Sequence, residues 1–139
     1  MKLRDIMANN VITVTGDTNI AVAAKRMREA GVGCLVVANA SSVRGIVTDR
    51  DLAIRCLGES HNSQQCQVSH HMSAPVTTVG PDTDILEAAH LMTVKQIKRL
   101  PVVENGQLIR LISFSDVAQA LDRPMHDLLI GMGAARRAA

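Results

Sequence analysis

The sequence predicts an α+β fold built from one β-α-β-β-α module written twice and packed as a single pseudo-twofold domain. Three observations predict it: an internal repeat, the same order of periodicities in both copies, and a globular composition. Shifted by 65 residues, positions 11–51 fall on 76–116 without a gap, and twelve of those 41 positions are identical. The chance rate is roughly one in seventeen. The identities are Val11/Val76, Thr13/Thr78, Val14/Val79, Asp17/Asp82, Thr18/Thr83, Ile20/Ile85, Ala23/Ala88, Ala24/Ala89, Met27/Met92, Leu35/Leu100, Val37/Val102 and Asp51/Asp116. Met7/Met72 keeps the same offset upstream. A unit of about 45 residues buries too little core to stand alone, so the two units must pack together. Of the 139 residues, 47% are hydrophobic and 20% charged, which fits a packed domain and not a disordered chain.

Each unit opens on a short strand, 11–15 and 76–79. Thr18 and Thr83 then offer a hydroxyl to cap a helix. Helices over 19–30 and 84–95 follow, with Ile20, Ala23, Ala24 and Met27 on one face of the first and Ile85, Ala88, Ala89 and Met92 on one face of the second. Two strands come next, at 34–38 and 43–47, and at 100–103 and 108–112. The polar stretch 39–42 joins the first pair. Glu104-Asn105-Gly106-Gln107 joins the second, and Asn-Gly between apolar runs is a type I′ hairpin signal. A closing helix begins near Asp49 and near Ser115. Beyond it, Pro124 suits the first position of a further helix over 124–132. The apolar residues Met125, Leu128, Leu129, Ile130 and Met132 there require burial on this domain or on a partner. The tail 133–139 is expected to fray. The divisions expected are a first repeat over 1–60, a connector over 61–70, a second repeat over 71–123, and a C-terminal helix and tail over 124–139.

The composition narrows the function. Phe114 is the one aromatic residue, so a base-stacking nucleic-acid platform is excluded. A formal net charge of +2 is too even for non-specific DNA binding. No apolar run reaches the length of a membrane span, and the N-terminus lacks the apolar core of a signal peptide. Three cysteines, Cys34, Cys56 and Cys66, suggest reduced thiols and a cytoplasmic setting. Nucleophile-elbow, zinc-protease, P-loop and dinucleotide-fingerprint motifs are all missing, so no enzyme is expected. His90 and His126 fall on predicted helices and read as surface or capping groups.

Together with this order of elements, Gly45-Ile46-Val47-Thr48-Asp49-Arg50-Asp51 and Leu111-Ile112-Ser113-Phe114-Ser115-Asp116 resemble a tandem pair of cystathionine-β-synthase-type (CBS) domains. Asp5-Ile6-Met7 and Arg99-Leu100-Pro101-Val102-Val103 match motifs of that family. The resemblance covers about residues 3–122 and implies a free-standing regulatory protein. It implies an adenosine-containing ligand (AMP, ADP, ATP, NAD or S-adenosylmethionine) in clefts between the repeats. It also implies a homodimer and a protein target that the sequence does not identify.

The spacing of Thr48-x-x-Asp51 and Ser113-x-x-Asp116 adds a physical reason. Each stands where a strand ends and a helix begins, where a hydroxyl and first-turn amides suit phosphate and a carboxylate suits paired ribose hydroxyls. Plain helix capping explains the same residues. By resemblance, the base slot comes from Val11, Ile12, Val32, Gly33 and Cys34 in one repeat, and from Val76, Thr77, Ile97, Lys98 and Arg99 in the other. The halves are expected to cross, Thr48 and Asp51 facing the second repeat's strands, and Ser113, Ser115 and Asp116 the first's. Lys98, Arg99 and Arg50 are candidates for phosphate contact. Arg110 replaces the glycine that stands at Gly45, so the clefts are expected to differ. Cys56, His61, Cys66, His70 and His71 fall in or beside the connector, but without zinc-finger spacing they read as surface histidines and incidental thiols. No metal is expected. The competing reading is a ligand-free dimeric interaction protein, with a metal site in the connector as its variant.

Overall fold

A computed structural model describes residues 1–6 and 11–138. The first repeat holds β1 (Thr13–Val14), α1 (Ile20–Ala30), β2 (Cys34–Asn39), β3 (Ser42–Thr48) and α2 (Asp49–Asp51), which widens into a π-helical stretch over Leu52–Leu57. The second holds α3 (Ile85–Lys95), β4 (Arg99–Glu104), β5 (Gln107–Ser113) and α4 (Phe114–Ala138). β1 runs parallel to β2, with Thr13 opposite Val36, and β2 pairs antiparallel with β3. β4 and β5 repeat that hairpin, with Leu100 opposite Ile112. Residues 34–38 of β2 are all buried, so the strand reads as a continuous apolar run with no alternation. The Asn105-Gly106 turn has φ of 52° and 78°, as its sequence requires. Ala40-Ser41 makes the equivalent turn with φ of 47° and 70°, although neither residue signals it.

Three expectations need correction. The opening strands are shorter than the apolar runs suggest. β1 has two residues, and in the second repeat Val79 alone bridges to Val102. Val76 and Thr77 leave the sheet and line a cleft instead. The helix caps sit one residue later than Thr18 and Thr83. Asn19 accepts from the Val22 amide and Asp84 from the Leu86 amide, each at 2.8 Å. Asn and Asp outrank Thr as caps, and the Thr18 hydroxyl pairs with that of Thr15 at 3.2 Å. Finally, Pro124 lies inside α4 and does not open a separate helix, so the closing helix and the C-terminal segment are one element.

The core has two halves. One gathers Val14, Ile20, Ala23, Met27, Leu35, Val37, Val47, Leu52, Cys56 and Val68. The other gathers Leu3, Ile85, Ala88, Met92, Leu100, Val102, Ile112 and Val117. Two members come from unexpected places. Val68, from the connector that precedes the second repeat, packs in the first repeat's core. Leu3, from the segment that precedes the first repeat's opening strand, packs in the second's. Backbone bonds hold both exchanges. Leu3 N donates to the Thr83 carbonyl at 3.0 Å and Val68 N to the Thr18 carbonyl at 2.8 Å. Lys2 bridges to Asp84 as Gln67 bridges to Asn19. The 65-residue offset therefore extends upstream to the first residues of the chain. At the surface of this seam, Arg4 Nε donates to Asp82 at 2.7 Å and holds that carboxyl below its ordinary range. The pair is exposed and contributes little.

Candidate functional site

β3 ends at Thr48, whose extended backbone begins α2 and whose hydroxyl accepts from the Asp51 amide at 3.1 Å. Asp51 Oδ2 in turn accepts from the Thr48 amide at 2.9 Å, which closes a capping box. The Asp49 amide donates to the Gly33 carbonyl at 2.9 Å, tying this corner to the entry of β2. Gly33 lies close under the Asp49 side chain: a Cβ on it would meet an Asp49 carboxylate oxygen at 2.9 Å, which the exposed carboxylate would have to yield.

This corner faces the second repeat across a cleft of about 440 Å³. The cleft brings Thr48, Asp49 and Arg50 of the first repeat onto Val76, Thr77, Ile97, Lys98 and Arg99 of the second. Ile46, Pro75, Val76 and Ile97 give it apolar walls. Among its lining residues three cations, Arg50, Lys98 and Arg99, stand against one carboxylate, Asp49. Such a hollow, apolar with a few converging charges, has the size and character of a small-molecule site for an anion.

Of the residues singled out from the sequence, Thr48, Arg50, Val76, Thr77, Ile97, Lys98 and Arg99 line this cleft, joined by Gly33. Asp51 stands behind Thr48 outside the lining, its Oδ1 at 3.7 Å from Arg55 Nε. Cys34 is buried in β2 opposite Thr48. Burial pushes its thiol up to about 11, and the nearby Arg99 guanidinium pulls the other way. The other corner repeats the capping geometry. Asp116 Oδ2 accepts from the Ser113 amide and from the Ser113 hydroxyl, each at 2.7 Å, and the Ser113 and Ser115 hydroxyls pair at 2.9 Å. Among the described hollows none joins Ser113, Ser115 or Asp116 to Val11, Ile12, Val32 or Cys34. Val11 lines a separate one of about 470 Å³ with Thr13, Arg26 and Leu108. Ile12 packs on the first repeat's core, and Val32 is exposed. Met7, and the side chains of His126, Leu129, Ile130 and Met132, lie outside the described residues.

The sequence reading missed Ile46, Asp49, Ser73 and Pro75 as lining residues. Gly45 carried the signal. A Cβ there would meet Met72 Sδ at 2.5 Å and the Ser73 carbonyl oxygen at 2.9 Å. The segment that follows the connector is laid against β3 at that point, Ile46 and Ser73 exchanging backbone bonds of 3.1 and 2.8 Å. Ser73 is thereby carried into the cleft wall.

The connector cysteines and histidines are not scattered. The ligand atoms of Cys56, Cys66 and His71 lie within 4.8 Å of one another. His70 is exposed, and His61 is exposed with its ring centroid 5.4 Å from that of His71. Among the described residues no helix is long and apolar enough to cross a membrane.

Comparison with known proteins agrees with the geometry. The sequence profile of the CBS domain matches twice, at residues 3–58 and 68–123. An uncharacterized protein of Methanopyrus kandleri, MK0525, is 36% identical over 117 residues, which are 83% of this chain and 60% of that protein, so the chain spans about three-fifths of that relative's length. The CBS domain-containing protein YhcV of Bacillus subtilis is 32% identical over 116 residues, 84% of this chain and 82% of that protein. Among solved structures, a CBS-domain protein from Burkholderia ambifaria superimposes with a TM-score of 0.81 at 32% identity, covering 87% of this chain and 93% of that one.

Proposed function

The chain belongs to the CBS domain family as a tandem pair, and on that premise we propose that it is a non-catalytic regulatory module that binds an adenosine-containing nucleotide (AMP, ADP, ATP or NAD). The observation that supports this reading is the cleft between the repeats, with Arg50, Lys98 and Arg99 converging on a hollow walled by Ile46, Val76 and Ile97. The aliphatic walls take the base. Lys98, Arg99 and Arg50 take the phosphates, with the Thr48 hydroxyl beside them. Asp51 stands outside the lining with its Oδ1 facing Arg55, and its part is to hold the Thr48 corner in place through the capping box. Because the lining comes from both repeats, a bound nucleotide stabilises arrangements in which they hold this separation, and its differential affinity sets the size of the response. The free cysteines Cys34, Cys56 and Cys66 support a reducing, cytoplasmic setting.

Calorimetric titration with AMP, ADP, ATP, NAD and S-adenosylmethionine tests the proposal. At least one should bind saturably and raise Tm. The double variant Lys98→Ala/Arg99→Ala should weaken it about tenfold or more, the effect of losing one charge-assisted contact or two. The second reading, a dimeric interaction protein with vestigial clefts, is favoured by the closure of Asp116 into its own cap. It replaces the first if none of the five compounds binds or shifts melting.

We infer further that two copies associate. Val22, Leu86, Val94, Met125 and Leu128 are 40–63% exposed on three helices, apolar side chains that a second copy would cover. Light scattering should give twice the chain mass at micromolar concentration, and a monomer there would refute the association.

A further inference from the structure

We propose that Cys56, Cys66 and His71, with His61 as the fourth ligand, hold a zinc ion between the closing helix of the first repeat and the connector. Three separate stretches converge on the point. Cys56 lies in the π-helical turn, Cys66 in the connector, and His71 just after the short helical turn Val68–His70. Their ligand atoms lie within 4.8 Å of one another. Zinc bonds of about 2.3 Å to sulfur and 2.1 Å to nitrogen place tetrahedral ligands about 3.5–3.8 Å apart. Side-chain rotation covers the difference.

The burial pattern points to a ligand independently. His71 is 5% exposed, and among the described residues its Nε2 has no hydrogen-bond partner. A buried ring nitrogen left bare costs free energy unless something takes its lone pair. Cys56 is fully buried, and its Sγ makes a long contact of 3.8 Å to the His61 carbonyl and lies beside the Cys66 thiol. That contact brings His61 to the site's edge, and its exposed ring is free to turn inward beside His71.

Charge and softness select the metal. Two thiolates and two neutral imidazoles cancel a dication, which a buried position requires. Each thiol releases its proton to solvent as its sulfur binds. A sulfur and nitrogen set favours zinc over magnesium or calcium. Arg55 Nη1 donates to the His71 carbonyl at 3.3 Å while its Nε faces Asp51, so this cation is already balanced. A Cys56–Cys66 disulfide accounts for the thiols but leaves His71 Nε2 bare. The metal accounts for all of them. It would staple the connector to the first repeat, and it does not depend on nucleotide binding.

The test uses the full chain, purified under reducing, oxygen-free conditions. Elemental analysis should find one zinc per chain. After stripping by chelator, cobalt(II) should give a thiolate-to-metal charge-transfer band and the visible bands of a tetrahedral site. Chelation should lower Tm by about 4 °C or more. Cys66→Ser is a near-isosteric change at a partly buried residue, so the fold should survive by circular dichroism while the charge-transfer band falls and cobalt affinity drops at least tenfold. His61→Ala should keep the thiolate band and change the visible ligand-field pattern. Absence of zinc and of a cobalt band in protein with three free thiols overturns the proposal. So does recovery of Cys56 and Cys66 as a disulfide from the oxygen-free preparation. An unaltered cobalt spectrum in His61→Ala removes His61 from the site.

Discussion

Leu3→Ala should destabilise the protein by about 2–5 kcal/mol, the range for emptying a buried leucine site. That is a large share of the 5–15 kcal/mol that holds a typical domain together. The expectation is unusual for a third residue, since chain ends ordinarily tolerate change. Leu3 is wholly buried, however, among Ile85, Ala88, Leu100 and Val102, and its amide is tied to the Thr83 carbonyl. Neighbours held by two strands and a helix cannot collapse into the vacated space. Thermal unfolding should show a fall in Tm of roughly 10 °C. Lys2→Ala is the control. Its side chain makes only an exposed ion pair with Asp82 at 3.7 Å, so it should stay within about 0.5 kcal/mol of the parent. If Leu3→Ala melts no lower than Lys2→Ala, the first segment is not part of the second core.

Gly45→Arg carries the other large effect and copies into the first repeat what the second already has at Arg110. The Cβ alone overlaps Met72 Sδ and the Ser73 carbonyl, and that carbonyl is backbone that cannot swing aside. The segment around Met72 and Ser73 must lift from β3, losing the two Ile46–Ser73 bonds, at about 0.5–1.5 kcal/mol each, together with the packing of Met72. We expect a loss of about 3 kcal/mol by urea denaturation. Ser73 and Pro75 line the cleft, so a ligand that binds the parent should bind the variant at least tenfold more weakly. Even Gly45→Ala should show the stability loss. The reverse change, Arg110→Gly, removes a half-buried side chain whose Nη1 reaches only the Ile109 carbonyl, and it should be far milder. Equal effects of the two substitutions would show that this segment does not press on Gly45.

Much of this was legible in the sequence, for identifiable reasons. Helices α1 and α3 fall within the expected spans because their apolar spacing is regular and duplicated. The Asn105-Gly106 turn is legible because few residue pairs tolerate two positive φ values. Ala40-Ser41 adopts the same turn without a signal. There the strands β2 and β3 impose the geometry, and tertiary pairing overrides local preference. The family resemblance puts Thr48, Lys98 and Arg99 on one cleft, and the fold brings them to one hollow. The crossover of Leu3 and Val68 was not legible. Leu3 stands among Met1, Ile6 and Met7, and Val68 stands in a polar stretch, and at neither does a periodicity assign the residue to the other repeat. The convergence of Cys56, Cys66 and His71 was hidden for a related reason. Metal-finger spacing is a local pattern, and here the approach is made by a π-helical turn and a folded-back connector.

The traded segments carry a consequence for how the two halves behave together. Each is finished by a few residues that the chain places in front of its counterpart, so neither can loosen without withdrawing a piece of the other's interior. Opening on one side is felt on the far side as an emptied socket, through the interlacing itself and with no separate relay. A molecule lodged between the halves therefore meets a single cooperative body, and its grip is a measure of the integrity of both.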